Sequence, residues 1–265
     1  MNLTDTHTHL FLPEFDKDID GVIQRAKENH ITKFFLPNID SSTIENMLEL
    51  CTRYPDNCFP MMGLHPCSIK EDYAKELELI EEYFQKEKFY AVGEIGIDLY
   101  WDKTFLEEQK NALRHQIKLS IELDLPIAIH CRESFDEIVE VLREFTTLSF
   151  DSAQEDPKKP RGIFHCFTGS MQQAQTVIDL RFHIGIGGVV TFKNSGLDKV
   201  VEQIDLKHIV LETDSPYLAP VPFRGKRNES SYVYNIAEKI AELHQTSIGH
   251  IAEVTTANAK AIFGV

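Results

Sequence analysis

The regular alternation of short apolar segments with longer segments of helical period most constrains the fold of this chain. Eight segments rich in Val, Ile and Phe predict strands, with the sequences NLTDTHTH, KFFLPNI, FPMMGLH, YAVGEIGID, PIAIHC, GIFHC, FHIGIG and HIVLETD. Such alternation implies parallel strands joined by right-handed crossovers. Eight units in 265 residues fit a (β/α)₈ barrel better than an open doubly wound sheet, and no glycine-rich phosphate loop follows any strand. The predicted fold is therefore α/β, a TIM barrel formed by one domain over residues 1–265.

The intervening segments have the spacing of amphipathic helices. They are Ile19–His30, Thr43–Arg53, Ala74–Lys86, Phe105–Leu123, Ser134–Arg143, Met171–Leu180, Leu197–Ile204, Tyr232–Leu243 and Ile248–Ile262. One irregular insert, residues 146–161, is polar and contains two prolines, which predicts a surface loop.

The composition favours a cytoplasmic protein. The chain has no apolar run of about 18 residues and no apolar leader at its start, so we expect neither a membrane span nor a secretory signal. Its five cysteines are odd in number and form no CxxC pair, which predicts reduced thiols. Cys131 and Cys166 are expected to be small buried residues and not ligands. No apolar surface stripe stands out, so a monomer is expected.

The formal net charge of −15 argues against a protein that holds long duplex DNA by its backbone. An acidic chain can still act on a phosphate ester if positive charge is supplied locally. Bound divalent cations and a few arginines can supply it.

The carboxyl ends of the predicted strands carry an unusual set of polar residues. In a barrel these ends meet at one mouth, where active sites of this fold lie. Any one of these residues has an ordinary structural explanation, such as a helix cap or a buried histidine that is hydrogen-bonded to a carbonyl. Their convergence instead predicts a metal centre, because buried polar groups are costly unless they are paired or bind a cation. The residues are His7, His9, His65, Glu94, His130, His165, Glu212 and Asp214.

Six of these residues are more than the three protein ligands of one tetrahedral site with an open position. They are the histidines His7, His9, His130 and His165 and the carboxylates Glu94 and Asp214. They suit two divalent ions that share a carboxylate. Glu94 is the natural bridge, since its strand lies between the two groups of histidines. One ion would then be held by His7, His9, Glu94 and Asp214, and the other by Glu94, His130 and His165. Such ligands permit Zn, Mn or Mg, among others.

Seven motifs of the chain resemble those of the TatD family of metal-dependent hydrolases, within the amidohydrolase-like superfamily. They are DTHTHL, GLHP, VGEIGID, PIAIHCR, FHCFTGS, LETDSPYLAP and FRGKRNE. The resemblance covers nearly the whole chain. It implies a TIM barrel, a divalent-metal site and hydrolysis of phosphodiester bonds in DNA. The implied ligands are His7, His9, Glu94, His130, His165 and Asp214. Three positions depart from the usual family pattern, where Phe11 replaces Asp, Phe223 replaces His and Ser230 replaces Pro.

A metal-activated water would attack phosphorus, with Glu94 and Asp214 as the catalytic carboxylates and Asp214 accepting the proton. Glu212 would orient a ligand or recruit a further ion, and strand period places it on the face of Asp214. Four residues are candidates for contact with substrate phosphate, although the charged ones also fit a solvated loop. They are Arg224, His65, Lys226 and Asn228.

Two further features lie beside this site. Tyr100 and Trp101 could stack a nucleobase or simply pack in a loop. Arg132 is a weaker candidate for a phosphate contact, and if its side chain alternates away from His130 it would instead brace the barrel rim.

Three functions fit the sequence to different degrees. The first is a DNase that acts on DNA ends or short single strands and binds them through weak, local contacts. The second is an amidohydrolase or aminoacyl-ester hydrolase on the same barrel. Amidohydrolases of this kind often carry a metal-bridging lysine where this chain has Glu94. The third, a non-catalytic binding protein, would be expected to have lost ligands, and this chain has lost none.

Overall fold

The computed structural model describes residues 1–146 and 159–265, so most of the predicted loop 146–161 lies outside the described residues. The strands are β1 (Leu3–Asp5), β2 (Ile31–Pro37), β3 (Cys58–Met61), β4 (Val92–Asp98), β5 (Ile127–Arg132), β6 (Gly162–Phe164), β7 (Phe182–Ile186) and β8 (Ile209–Leu211). The helices are α1 (Ile19–Glu28), α2 (Ile44–Arg53), α3 (Tyr73–Lys86), α4 (Leu106–Leu123), α5 (Phe135–Thr146), α6 (Met171–Asp179), α7 (Leu197–Val201), α8 (Val233–Leu243) and α9 (Ile248–Phe263). Every predicted strand and helix is confirmed, with small differences at the ends. Across the described ranges, no helix is both long and apolar enough to cross a membrane.

All strand pairs are parallel, and neighbours in sequence are neighbours in space. The strands form a three-stranded sheet in the order β1-β2-β3 and a five-stranded sheet in the order β4-β5-β6-β7-β8. Strand–helix–strand connections of this kind produce parallel pairing, as the alternation in the sequence predicts.

The two sheets meet along both of their edges. Between β3 and β4, the Met62 N–H donates to the Ala91 carbonyl at 3.1 Å and the Gly93 N–H donates to the Met62 carbonyl at 2.8 Å. Between β8 and β1, the Thr6 N–H donates to the Leu211 carbonyl at 3.0 Å. The eight strands therefore surround one interior, in the arrangement of a parallel α/β barrel.

An apolar layer fills the barrel interior below the polar residues. Ala128, Ile163 and Val210 are buried there with side chains from β2 and β3. Each precedes a polar site residue by two positions, and side chains two apart on a strand share a face. Phe263, at the end of α9, stacks on Phe35 of β2 with ring centroids 4.0 Å apart. This packed layer supports His130, His165 and Glu212 from below.

Candidate metal centre

The Glu94 carboxylate lies at the centre of the predicted ligands. Its Oε2 atom is 3.1 Å from His7 Nε2 and 3.4 Å from His9 Nε2. Its Oε1 atom is 2.8 Å from His130 Nδ1 and 2.9 Å from His165 Nε2. The two carboxylate oxygens therefore face different sets of imidazoles, and only 3% of the side chain is exposed.

Asp214 closes the cluster on the side of His7 and His9. Its Oδ1 atom is 3.5 Å from His9 Nε2 and 4.0 Å from His7 Nε2. The residue follows the end of β8 in a left-handed conformation with φ 56°, and its N–H donates to the His7 carbonyl at 2.9 Å. The side chain is 16% exposed, more than the Glu94 side chain. Asp214 is thus the carboxylate of the pair that faces the opening of the site.

We call the six residues His7, His9, Glu94, His130, His165 and Asp214 the ligand cluster. They fall, with His65, into three overlapping groups whose candidate ligand atoms all lie within 4.8 Å of one another. The groups are His7–Glu94–His165, His7–His9–Asp214 and His65–Glu94–His130.

The chemistry of the ligand cluster fits divalent cations. In the part of the chain that the structure describes, no lysine or arginine forms an ion pair with Glu94 or Asp214. Glu212 Oε2, His7 Nδ1 and His165 Nδ1 are buried without a hydrogen-bond partner. Buried carboxylates require a compensating charge, and imidazole with carboxylate is a common ligand set for transition metals.

Protonation within the ligand cluster follows from burial and mutual contact. Burial lowers the pKa of His9, but hydrogen bonds to Asp214 and Glu94 outweigh it and raise that pKa to about 9. Burial opposes ionisation of Glu94, yet His65, His165 and His7 hold the pKa of its carboxyl well below the usual range. Burial lowers the pKa of His7. A bound cation would therefore take the place of protons in this cluster.

Groups behind the ligand cluster fix the orientation of its histidines. The His9 ring nitrogen Nδ1 lies 3.2 Å from the Pro37 carbonyl. His130 Nε2 lies 2.9 Å from Asp98 Oδ2. A carboxylate on the far nitrogen of a ligating histidine sets its tautomer and increases its basicity. Asp98 was not among the predicted site residues, although it ends the VGEIGID motif and its position at a strand end was an available signal.

Glu212 lies beside His165, one of the predicted ligands, as one of its two predicted roles requires. Its carboxylate and that of Asp214 both face histidines of the ligand cluster, although different ones. Glu212 is fully buried, with Oε1 3.6 Å from His165 Nδ1. The Cys166 N–H donates to the same oxygen. Gly185 leaves the necessary room, because a Cβ there would collide with the Glu212 carboxylate.

His65 lies among the ligand atoms themselves. Its Nε2 atom is 3.2 Å from Glu94 Oε1 and 3.3 Å from His130 Nδ1. Its Nδ1 atom accepts from the Cys67 N–H, which orients the ring. The side chain is 13% exposed. The position suits either a ligand or a contact to a group bound at the mouth.

The predicted phosphate contacts separate into two kinds in the structure. Arg224 and Lys226 are exposed, and the Arg224 guanidinium lies 3.7 Å above the Phe192 ring. Within the described ranges neither side chain forms an ion pair or touches the ligand cluster. The expected phosphate contact of Asn228 is wrong, because the residue is fully buried and its amide donates to the carbonyls of Thr213 and Tyr217 at 2.8 and 2.6 Å.

The three departures from the family pattern have structural consequences. The Phe223 ring stacks on Tyr232 at a centroid distance of 4.0 Å and an angle of 4°. Ser230 is buried and donates to Thr8 Oγ1 at 3.4 Å. Phe11 packs edge-on against His9 at 5.7 Å, so an apolar ring stands beside that ligand.

Two smaller expectations need correction. Cys131 and Cys166 are half-buried and not fully buried, although all five cysteines are free as predicted. Arg132 does not turn away from His130, since residues two apart on β5 share a face. Its guanidinium lies 3.8 Å from the centroid of the exposed Tyr100 ring.

Comparison with known proteins agrees with this geometry. Residues 4–264 match the family model described as TatD related DNase. The chain is 39% identical over 264 residues to the uncharacterized metal-dependent hydrolase YabD of Bacillus subtilis, which covers 99% of both chains. It is 28% identical to the 3'-5' ssDNA/RNA exonuclease TatD of Erwinia tasmaniensis, covering 100% of this chain and 98% of that protein. The crystal structure of the TatD homologue YjjV from Escherichia coli superimposes with a TM-score of 0.89 at 29% identity, over 99% of this chain and 98% of that chain.

Proposed function

Because this chain belongs to the TatD family of metal-dependent hydrolases, we propose that it hydrolyses phosphodiester bonds at the ends of single-stranded DNA. The Erwinia relative is named as a 3'-5' ssDNA/RNA exonuclease, which supports single-stranded nucleic acid as the substrate class. Five free thiols suit a reducing compartment, so we place the activity in the cytoplasm.

The division of the Glu94 carboxylate between two sets of imidazoles carries the proposal. Oε2 is directed to His7 and His9, and Oε1 to His130 and His165. Such a bridge is suited to two divalent ions, and Zn, Mn and Mg are compatible with its ligands. The ions would supply Lewis acidity and an activated water at the carboxyl ends of the strands.

Side chains of this protein would then accept a proton, orient the histidines and contact the substrate phosphate. Asp214 is the more exposed carboxylate, so it is placed to accept a proton from water at the mouth. Asp98 and Glu212 would hold His130 and His165 in one orientation. Arg224 and Lys226 are unpaired cations in the described structure, and His65 reaches the ligand cluster, so these three would meet phosphate oxygens.

Release of nucleotides from end-labelled single-stranded DNA tests the proposal. The protein would be stripped of metal and assayed with Mg, Mn or Zn added back. Since Glu94 and Asp214 are both required, we expect Glu94→Ala and Asp214→Ala to lower the rate by at least about 10²-fold, as loss of an acid–base group does. Glu238→Ala is the matched control, because this carboxylate is exposed on α8 and has no described contact.

A folded protein that binds metal tightly but releases no nucleotide with any of the ions would overturn the DNase proposal. The substrate would then be sought among small phosphoesters, amides and aminoacyl esters. Cleavage that survives both substitutions would instead show that the activity lies outside this cluster or comes from a contaminant.

A further inference from the structure

Two aromatic side chains stand exposed beside the ligand cluster. Trp101 is 72% exposed and Tyr100 is 50% exposed. Among the bulky apolar residues that the structure describes, Trp101 is the most exposed. Their rings meet edge to face, with centroids 4.8 Å apart and an interplanar angle of 89°. A single exposed apolar residue is ordinary, but adjacent exposed aromatics at the mouth of a site indicate a binding surface.

Arg132 completes this surface from the neighbouring strand. Its guanidinium carbon is 3.8 Å from the Tyr100 centroid and 5.3 Å from the Trp101 centroid. No carboxylate forms an ion pair with Arg132 anywhere in the described ranges, although most arginines of this acidic chain are paired. A cation held on aromatic faces keeps its N–H groups available to an anion. We call Tyr100, Trp101 and Arg132 the aromatic platform.

Hydrogen bonds fix the aromatic platform to the ligand cluster. The Tyr100 N–H donates to Asp98 Oδ1 at 3.0 Å, and the Leu99 N–H donates to the Arg132 carbonyl at 3.0 Å. The other oxygen of Asp98 contacts His130, which in turn contacts Glu94. A ligand on the platform therefore lies at a set position relative to the proposed chemistry.

We propose that the aromatic platform is a nucleobase subsite, which stacks one unpaired base while Arg132 contacts the adjoining phosphate. This inference rests on the proposed function and deepens it. Exposed aromatic rings with an arginine are the elements by which proteins bind single strands, since every base has a π-face. A base in a duplex is already stacked and paired, so the platform selects single-stranded ends.

Trp101 is the only tryptophan of the chain, so tryptophan fluorescence reports on the platform alone. Metal-free protein would be titrated with a short single-stranded oligothymidylate and with an abasic strand of the same length. We expect the base-containing strand to quench the emission and to bind about 5- to 150-fold more tightly than the abasic strand. Tyr100→Ala should remove most of that difference, and Arg132→Gln should weaken both strands.

Arg181→Gln is the matched control, because Arg181 is also exposed and has no described ion pair but lies at the opposite, amino end of β7. It should leave both titrations unchanged. In cleavage assays Trp101→Ala and Tyr100→Ala should raise KM for base-containing ends and leave kcat within a few-fold. If the two rings had only a structural role, these substitutions would lower the thermal stability of the protein and would affect abasic and base-containing strands equally.

The two proposals can fail separately. Equal affinity and equal quenching for both strands, in a protein that cleaves DNA, would overturn the platform and leave the DNase proposal standing. Base-dependent quenching in a protein that cleaves no DNA with any ion would uphold the nucleobase subsite and reject the DNase activity.

Discussion

At the scale of single residues, the site shows how far positions can be predicted from a sequence. The convergence of the six members of the ligand cluster was predictable, because the carboxyl ends of barrel strands meet at one mouth. The partners of Asp98 and Asn228 were not predictable, because they depend on which groups face these side chains, although the position of Asp98 at a strand end marked it as a candidate. Asp98 ends β4 beside His130, while Asn228 is enclosed by the backbone of Thr213 and Tyr217. Neither contact follows from residue type or spacing.

The contact between Asp98 and His130 leads to a prediction about metal affinity. Asp98→Asn keeps the shape but loses the negative charge at His130 Nε2. We expect metal to bind about 10- to 100-fold more weakly at one of two sites, as removal of such a partner usually does. Competition with a chelator dye would measure this. Asp102→Asn, an exposed carboxylate of the same loop, should bind metal normally. Equal affinity in both variants would show that Asp98 does not support a ligand.

At the scale of elements, periodicity located each helix and strand, but not the exact point at which each ended. β8 ends at Leu211, and beyond it Glu212 lies near His165 whereas Asp214 lies near His7 and His9. Where a strand ends depends on its neighbour's hydrogen bonds, which the sequence of the strand does not contain.

One contact between elements leads to a prediction on stability. Arg25 of α1 makes a two-bond ion pair with Glu229, at 2.9 and 2.6 Å, near the start of α8. Burial opposes ionisation of Glu229, but Arg25 and Ser231 hold the pKa of its carboxyl below the ordinary value. Its stabilisation is therefore present at pH values above the unfolded pKa and is lost as the pH falls through the folded pKa.

Glu229→Gln should accordingly reduce the free energy of unfolding by about 1 to 3 kcal/mol at neutral pH. As the pH falls from the ordinary glutamate pKa of about 4.3 through the lower folded pKa, the difference from the wild type should shrink, because the wild-type carboxyl becomes protonated as well. Urea unfolding at a series of pH values would measure both. Glu238→Gln on exposed α8 surface should show no difference at any pH. A constant difference down to acid pH would contradict the role of charge.

At the scale of the whole molecule, the barrel was predictable from the count and order of the strands. The presence of two sheets with short seams was not, because residue types at a seam do not differ from those within a sheet. The net charge of −15 is likewise a property of the whole surface. It opposes any polyanion at long range, so that attraction must come from a few cations at the mouth.

Because only a few cations offset the negative charge of the protein, we expect the affinity for DNA to depend only weakly on salt concentration. If Arg132, Arg224 and Lys226 supply the phosphate contacts, log K against log salt concentration should have a slope of about −2 for a single strand. Trp101 fluorescence at several salt concentrations would measure it. Arg224→Gln should reduce the slope by about 0.7. A slope several times steeper would show a larger basic surface than the one described.

The seam between β8 and β1 has a consequence for the synthesis of the protein. It joins segments that are far apart in sequence, and the Thr8 and Ser215 hydroxyls that meet there at 2.6 Å are 207 positions apart. His7 and His9 are synthesised long before Asp214. A nascent chain that has not reached Asp214 cannot bring all six members of the ligand cluster together. A growing polypeptide therefore carries only part of the candidate metal centre until Asp214 has left the ribosome.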